Sequence, residues 1–418
     1  MKLIQELWVT LRSFGLDHDD FTTMIENVAL LLRTMTIDIY KDGVKRVTWL
    51  YYIVTIVAGA CYFYVFILSS FWLVFFRYRK SKNYTGMAVA MSLTCCNVTC
   101  ITKLAFMILN VKPIREIVDK YLKCDAQIEP GTRFAINLRK NLRVVKKRAL
   151  VIWNFLVWNC VVYVLIPMLR PGRHVTEDIY ILFALDPMLE SPHYEIYHIL
   201  NTISVGFCAY IMVNVAVFVI VIVGYNEAHL YTMSVELRNL WKDSQNFYSK
   251  VKQDLRNKIF AINMKDKIIN EYIRLRLTSM VQYHVTNIHL FRGLNGEFQN
   301  ILALEYGLLS VAIIGELLGG LENTYLQVPY TTVQLYMDCL SGQRLIDACL
   351  DFEKALYDCE WENFSASNQK TIYLMLLMSQ KTLMLSAGGL ANLNYMCLMA
   401  ILKSAYSAYT ALKSSLQH

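Results

Sequence analysis

Hydrophobic positions in this chain come in long unbroken runs, not in the short alternations of a soluble sheet. Val47 to Phe76 holds no Asp, Glu, Lys or Arg, and the same is true of Asn83 to Thr102, Ala149 to Leu169 and Ile196 to Asn226. An uncharged run of roughly 18 residues or more can cross a bilayer core, and lipid offers its backbone no outside hydrogen-bond partner, so it must be helix. Two further runs are apolar over about 20 residues, a spanning length: Ile301 to Leu321 contains Glu305 and Glu316, and Asn323 to Gln343 contains Pro329 and Asp338. Helices inside a bundle tolerate such groups where lipid-facing ones do not. Thr382 to Leu402 is again free of charge and continues towards Lys413. The pattern predicts an all-α membrane protein of seven transmembrane helices, with approximate spans 47–76, 84–108, 149–169, 196–226, 299–321, 323–343 and 371–413, the last split near 387–391.

Helical spacing continues outside the runs. Residues 228–298 read as amphipathic extensions of the fourth and fifth spans, with Ile259, Ile262, Ile268, Ile269, Tyr272 and Ile273 three to four apart. In 344–370, Leu345, Ala348, Cys349, Phe352, Leu356 and Tyr357 share one face, predicting a cytoplasmic helix that does not span. These pieces are expected to form an intracellular anchor.

Composition agrees with the pattern: 56% of the 418 residues are hydrophobic and the mean hydropathy is +0.34, above the roughly 45–50% usual for globular proteins. Charge then sets orientation. Lys103 to Arg148 holds 12 Lys and Arg and Glu227 to Asn300 holds 11, against two between Arg170 and Glu195. Basic loops face the cytoplasm, which predicts a cytoplasmic N-terminus and an extracellular C-terminus. Arg77 to Lys82 carries four basic residues on the outside and runs against the count. The net charge of +8 is thus topology and does not point to nucleic acid. The first residues, MKLIQELWVTLRSFGL, lack the apolar core and cleavage site of a secretory signal. Most of the eleven cysteines fall inside spans (Cys61, Cys95, Cys96, Cys100, Cys160, Cys208, Cys397) and read as buried small hydrophobes.

The C-terminal stretch from Gln334 to Lys413 resembles the insect odorant receptor family. Gln334, Cys339, Gly342 and Leu345 match the end of that family's sixth helix, and Ala355, Tyr357 and Trp361 the amphipathic helix after it. MLLMSQKTLMLSAGG, from Met375 to Gly389, is similar to the first half of a split seventh helix, and ILKSAYSAYTALKSS, from Ile401 to Ser415, to the terminal signature. SAYSAYTAL stands where the related gustatory receptors have threonine-tyrosine and glutamine-phenylalanine pairs. Gly342-Gln343-Arg344 departs from the usual glycine-asparagine-glutamate.

The resemblance implies a ligand-tuned subunit of a non-selective cation channel, in the plasma membrane of sensory neurons, assembling with the odorant co-receptor in a tetramer whose last helices line one pore. At about 100° per residue, Asn394, Leu398, Ile401 and Ala405 share a face of that helix and Lys403 points away, so these four are the expected pore and gate residues. The alternative is that this face packs against the fifth or sixth span. The family's odorant site lies in the outer halves of spans two, three, four and six. Those halves offer Met87, Met91 and Thr94, then Trp158, Val161 and Leu165, then Phe207 and Ile211, and finally Thr324, Tyr325 and Val328. Such side chains suit a small hydrophobic volatile.

Enzymatic readings find no support in the sequence. His284 and His289 lack companions for a metal site, and no phosphate-binding glycine loop or nucleophile elbow occurs, so neither cofactor nor metal is expected. Glu305 and Glu316, 11 apart on one helix face, are candidates for ligand or ion contact. A G-protein-coupled receptor shares the span number but has the opposite orientation, and the third loop has no cysteine for the extracellular disulfide of that class. A secondary transporter would show two related halves with broken helices, and none is visible.

Overall fold

The computed structural model describes residues 12–40, 49–175, 179–254 and 262–417. Val47, Ile259 and the N-terminal residues through Leu11 lie outside them. The chain is helical almost throughout. A short helix α1 (Phe21–Arg33), capped by Asp20 accepting from the Thr23 amide at 2.9 Å, precedes α2 (Trp49–Ser81), which contains two π-helical turns at Phe63–Leu68 and Leu73–Arg77. Then come α3 (Tyr84–Leu109), α4 (Val111–Ala126), α5 (Arg133–Leu169), α6 (His193–Arg238), α7 (Leu240–Asp254) and α8 (Lys265–Gly319). After the single turn Leu321–Thr324 follow α9 (Gln327–Tyr357) and α10 (Ala366–Ser379). A two-residue hairpin, β1 (Ser386–Ala387) against β2 (Ala391–Asn392), leads into α11 (Tyr395–Gln417).

Among the described residues, five helices, α2, α3, α5, α6 and α8, are long and apolar enough to cross a membrane. The central one is α6, in which every residue from Ile211 to Leu230 is buried. A helix apolar on all sides needs neighbours on all sides, and α5 and α9 supply most of them. Glycine sets the closest approaches. A Cβ on Gly224 of α6 would lie 2.3 Å from Val145 Cγ1 of α5, and one on Gly319 of α8 would lie 2.5 Å from Val89 Cγ2 of α3. Gly315, four residues earlier, meets Ser92 in the same way, so α3 and α8 cross through a small-xxx-small seam.

The structure revises several sequence expectations. Lys103, counted among the basic residues of a loop, is buried inside α3, which runs on to Leu109. The stretch 344–370 is not one separate helix: α9 passes unbroken from the sixth expected span to Tyr357, and a new helix begins at Ala366. Of its apolar face, Leu345, Ala348, Cys349, Phe352 and Leu356 are buried while Tyr357 is 67% exposed. The break in the last span extends over residues 380–394, wider than 387–391. Helix α6 continues to Arg238 and yields to a separate α7 at Leu240.

A 55-residue helix is about 80 Å long, well over twice a bilayer core, so the polar first half of α8 extends beyond it. There it meets α7, α4 and α10 in a base held by charge. Arg133 grips buried Glu236 through two bonds of 2.7 Å and reaches Asp243 at 2.6 Å, and Arg276 closes on Glu236 at 2.5 Å. His284 is buried in this base against the Phe352 ring, with centroids 4.7 Å apart. Burial pushes its pKa down to about 4. The unfolded imidazole titrates near 6.5, so the folded state is at full strength above that pH and loses stability as pH falls from about 6.5 to about 4. The loss should reach about 3 kcal/mol. Thermal midpoints of the purified chain in nanodiscs should show that slope, and His284→Gln should make it shallower, leaving the share of His229, also buried and with its pKa pushed down to about 4; parallel profiles would refute the assignment.

Candidate functional site

In the half of the bundle away from the basic loops, α3, α5, α6 and the start of α9 enclose a cavity of about 80 Å³. Its apolar wall is Phe66 of α2, Leu93, Val205, Ala209 and Leu326. The rest is polar or soft: Cys96 and Asn97 from α3, Asn159, Cys160 and Tyr163 from α5, Cys208 from α6, and Gln327, Tyr330 and Thr331 from α9. Among the described residues, no charged side chain lines it.

Several of these groups are fixed by their neighbours. Asn97 donates to the Leu93 carbonyl at 2.6 Å, one turn back, and its Oδ1 accepts from the buried Tyr62 hydroxyl at 2.9 Å. Thr331 donates to Glu316 Oε1 at 2.6 Å, which gives that buried carboxylate a structural partner behind the cavity wall. Cys96 Sγ lies 3.5 Å from the same hydroxyl. Pro329 sits in the first turn of α9, where a missing N–H leaves no bond unmade, so the helix can begin at the cavity's edge.

None of the eleven residues expected to bind ligand lines this cavity. Met91, Trp158, Val161, Leu165 and Tyr325 are exposed on the outside of the bundle, Trp158 at 69%. Phe207, Ile211 and Thr324 are buried in helix packing, with Phe207 against the Tyr62 ring at 5.5 Å. Met87 and Val328 are half-buried, as is Thr94, which donates to the Ala90 carbonyl at 2.6 Å. Yet Thr94, Trp158, Phe207 and Tyr325 each stand one or two positions from a lining residue, and one position on a helix is a turn of about 100°. Large apolar side chains mark the lipid face as readily as a pocket. The better signal was the polar residues inside the apolar runs, Asn97, Asn159, Gln327 and Thr331, which lipid would reject.

The last helix shows a similar rotation. Leu398 and Ile401 pack on the core and Ala405 is 2% exposed, so this face is held by α8 and α9 of the same chain, with Asn394 half-buried at its start. The face left uncovered carries Met396, Met399, Lys403 and Tyr406. Lys403 therefore lies on the open side of the helix.

Deeper in the bundle, between α3, α8 and α9, Lys103 Nζ lies 2.6 Å from Glu305 Oε1, both fully within the core. Asp338 lines the same water-sized cavity. The ion pair is close but not aligned as a hydrogen bond, and Asp338 Oδ2 has no hydrogen-bond partner. Among the described residues, no group of three or more His, Cys, Asp or Glu could hold a metal ion.

Residues 83–319 and 325–406 match the family model described as 7tm Odorant receptor. The chain belongs to that family. This odorant receptor chain is 22% identical over 268 residues to Odorant receptor 30a of Drosophila melanogaster, a match that takes in 61% of the chain and 63% of that protein's length. Its fold is similar to that of the olfactory receptor OR5 from Machilis hrabei. In complex with eugenol, that structure superposes with a TM-score of 0.70 over 94% of this chain and 97% of the other, at 11% identity. The structure without eugenol gives 0.69, over 93% and 97%, at 12%. The helical membrane architecture follows from the family and the fold together.

Proposed function

We propose that this chain is the ligand-tuned subunit of a ligand-gated, non-selective cation channel that assembles with an odorant co-receptor, in the plasma membrane of sensory neurons. The observation that carries the reading is the uncharged cavity of about 80 Å³ between α3, α5, α6 and α9, with apolar and polar walls and no charged group, as a site for a small neutral volatile requires. In this reading the basic loops lie in the cytoplasm, the cavity opens toward the outer half of the bundle, and the uncovered face of α11 meets the neighbouring subunits and the pore. Occupancy of the cavity separates α9 from α3, and α9 packs on α11, which gives ligand binding a mechanical route to the last helix.

The test is whole-cell current from cells expressing this chain with and without an insect odorant co-receptor, across a panel of volatile compounds. A fast cation current that needs both chains supports the proposal. A slow response abolished by blocking G proteins would overturn the channel mechanism, and a C-terminal tag hidden from the outside of intact cells would overturn the orientation. Filling the cavity makes the site itself testable. Ala209→Phe adds a ring to the wall and should raise half-maximal ligand concentrations by about tenfold or more, while the exposed Trp158→Ala should change them less than about threefold, since a lost fit of about 1.4 kcal/mol is a factor of ten. The opposite ranking would move the site to the lipid-facing side of α5.

A further inference from the structure

Helices α3 and α9 are joined by polar side chains in matched register. Ser92 Oγ donates to Gln327 Oε1 at 3.3 Å, and four residues further along both helices Cys96 Sγ lies 3.5 Å from Thr331 Oγ1. Seven residues beyond that pair stand Lys103 and Asp338, which line one small cavity with Glu305. The intervals are the same on α3 and on α9, so the two helices run parallel. All three pairs share one face, because eleven residues at about 100° each fall within about 20° of whole turns. Ser92, Gln327, Thr331, Lys103 and Asp338 are buried. Cys96, Gln327 and Thr331 also line the cavity between α3, α5, α6 and α9. The first two pairs of the seam therefore lie at that chamber, and the third lies about 10 Å deeper at a rise of about 1.5 Å per residue.

The third pair is shared. Lys103 Nζ is 2.6 Å from Glu305 Oε1 on α8, and Asp338 on α9 also attracts it. Among the described residues of this cavity, one ammonium serves two carboxylates on two different helices. Its pull on Glu305 adds to a contact that Gly315 and Gly319 already make between α3 and α8, whereas its pull on Asp338 draws α9 towards α3. Salt does not screen charges buried this deeply, and the low dielectric of the core strengthens their attraction.

Resting on the channel reading, with α9 as the route from the cavity to α11, we propose that Lys103 and Asp338 are positioning residues that latch α9 to α3 in the closed channel, and that Glu305 sets the strength of the latch by competing for the same lysine. Parting the helices at Cys96 and Thr331 stretches the Lys103–Asp338 attraction at the far end of the seam. The latch thus sets how readily the channel opens, with or without an odorant. It also gives the two carboxylates opposite effects. Taking the charge from Asp338 leaves the lysine to Glu305 and releases α9. Taking it from Glu305 leaves the lysine to Asp338 and tightens the seam. A cluster that only stabilised the fold would respond in the same sense to either change.

The experiment reads the seam in two ways. Thr331→Cys puts a thiol opposite Cys96, and the rate at which copper phenanthroline and oxygen close a disulfide between them is followed by mass spectrometry on the purified full chain in nanodiscs. Basal cation current, normalised to surface amount, is recorded without odorant from cells carrying the full chain with an odorant co-receptor. In the Thr331→Cys background, Asp338→Asn should slow the cross-link and Glu305→Gln should speed it, each by about fivefold, the lower end of the coupling between linked sites. Basal current should rise by a similar factor in Asp338→Asn and fall in Glu305→Gln, and Asp338→Glu should bring both readings back towards the parent. Asp338→Ser also removes the charge and must fall on the same side as Asp338→Asn, so the comparison stands if one of the two fails to fold. Cross-linking rates that shift in the same direction in Asp338→Asn and Glu305→Gln, or in neither, overturn the latch whatever the currents show. Opposed cross-linking rates with no current from any cell keep the latch and remove the channel reading instead.

Discussion

Lys103→Met should be among the most damaging single substitutions in this receptor, costing about 3–5 kcal/mol of stability, the range for stranding one partner of a buried ion pair. Among the described residues, the lysine is the only base in a core cavity that also holds Glu305 and Asp338, both essentially inaccessible to solvent. Removing it leaves two carboxylates facing each other with no counter-ion. Glu305→Gln should be milder, because Lys103 still has Asp338 beside it and the glutamine keeps the shape. The expected order is therefore Lys103→Met far worse than Glu305→Gln, and a triple replacement of Lys103, Glu305 and Asp338 by apolar residues of similar size should recover most of the loss. Thermal midpoints of the purified chain in nanodiscs and surface abundance in cells both report it. If Glu305→Gln proves the more harmful, Asp338 is not close enough to act as the second partner, and the description of this cluster fails.

The same lysine shows where the sequence is readable and where it is not. Long uncharged runs specify helices by a rule with no competitor in lipid, so α2, α3, α5 and α6 could be placed from pattern alone. Lys103 ended the second run in the sequence, yet α3 continues six residues past it to Leu109. The expected span 84–108 already runs past it, but nothing local shows what makes a lysine tolerable there. The cause is Glu305, 202 positions away, and such a pairing is visible only in the packed bundle. The hairpin at Ser386–Asn392 is a second case. Gly388 and Gly389 have φ of +60° and +71°, a conformation that favours glycine, and the sequence does mark a break there. How far the break extends depends on α8: Asn295 Oδ1 accepts from the Ser386 amide and the Gln299 carbonyl from the Gly388 amide, both at 2.8 Å. Without those partners the sequence marks a break only near 387–391. The candidate site was missed for a related reason. Depth and helix choice follow from span boundaries, but rotation about a helix axis needs neighbours, and an apolar residue carries little sign of whether lipid or a cavity is beside it.

Gly342→Ala should be nearly as damaging as the loss of Lys103, for a steric reason. A Cβ at this position of α9 would stand 2.0 Å from the Leu393 carbonyl oxygen and 3.0 Å from its carbon. A backbone atom cannot swing aside as a side-chain tip can, so α9 and the hairpin must move apart by an ångström or more. Leu393 is fixed on its other side, its amide donating to the Leu385 carbonyl at 2.8 Å. Immediately beyond it the last helix begins, with Tyr395 stacked on Tyr336 at 6.3 Å and an interplanar angle of 4°. Overpacking of this kind costs about 1–3 kcal/mol, and the rigid partner puts Gly342→Ala at the top of that range. The variant should reach the surface in reduced amount, and, under the proposed function, what arrives should gate differently, because the displaced element is the entry to α11. Gly296→Ala is the matched control. A Cβ there meets nothing within 4 Å, and alanine is the better helix former by about 0.5–1 kcal/mol, so that variant should be neutral or slightly stabilised. Surface abundance by flow cytometry, together with the thermal midpoint, separates the two. Equal behaviour of Gly342→Ala and Gly296→Ala would mean that α9 does not pack directly on the hairpin and that the last helix is not held from this side.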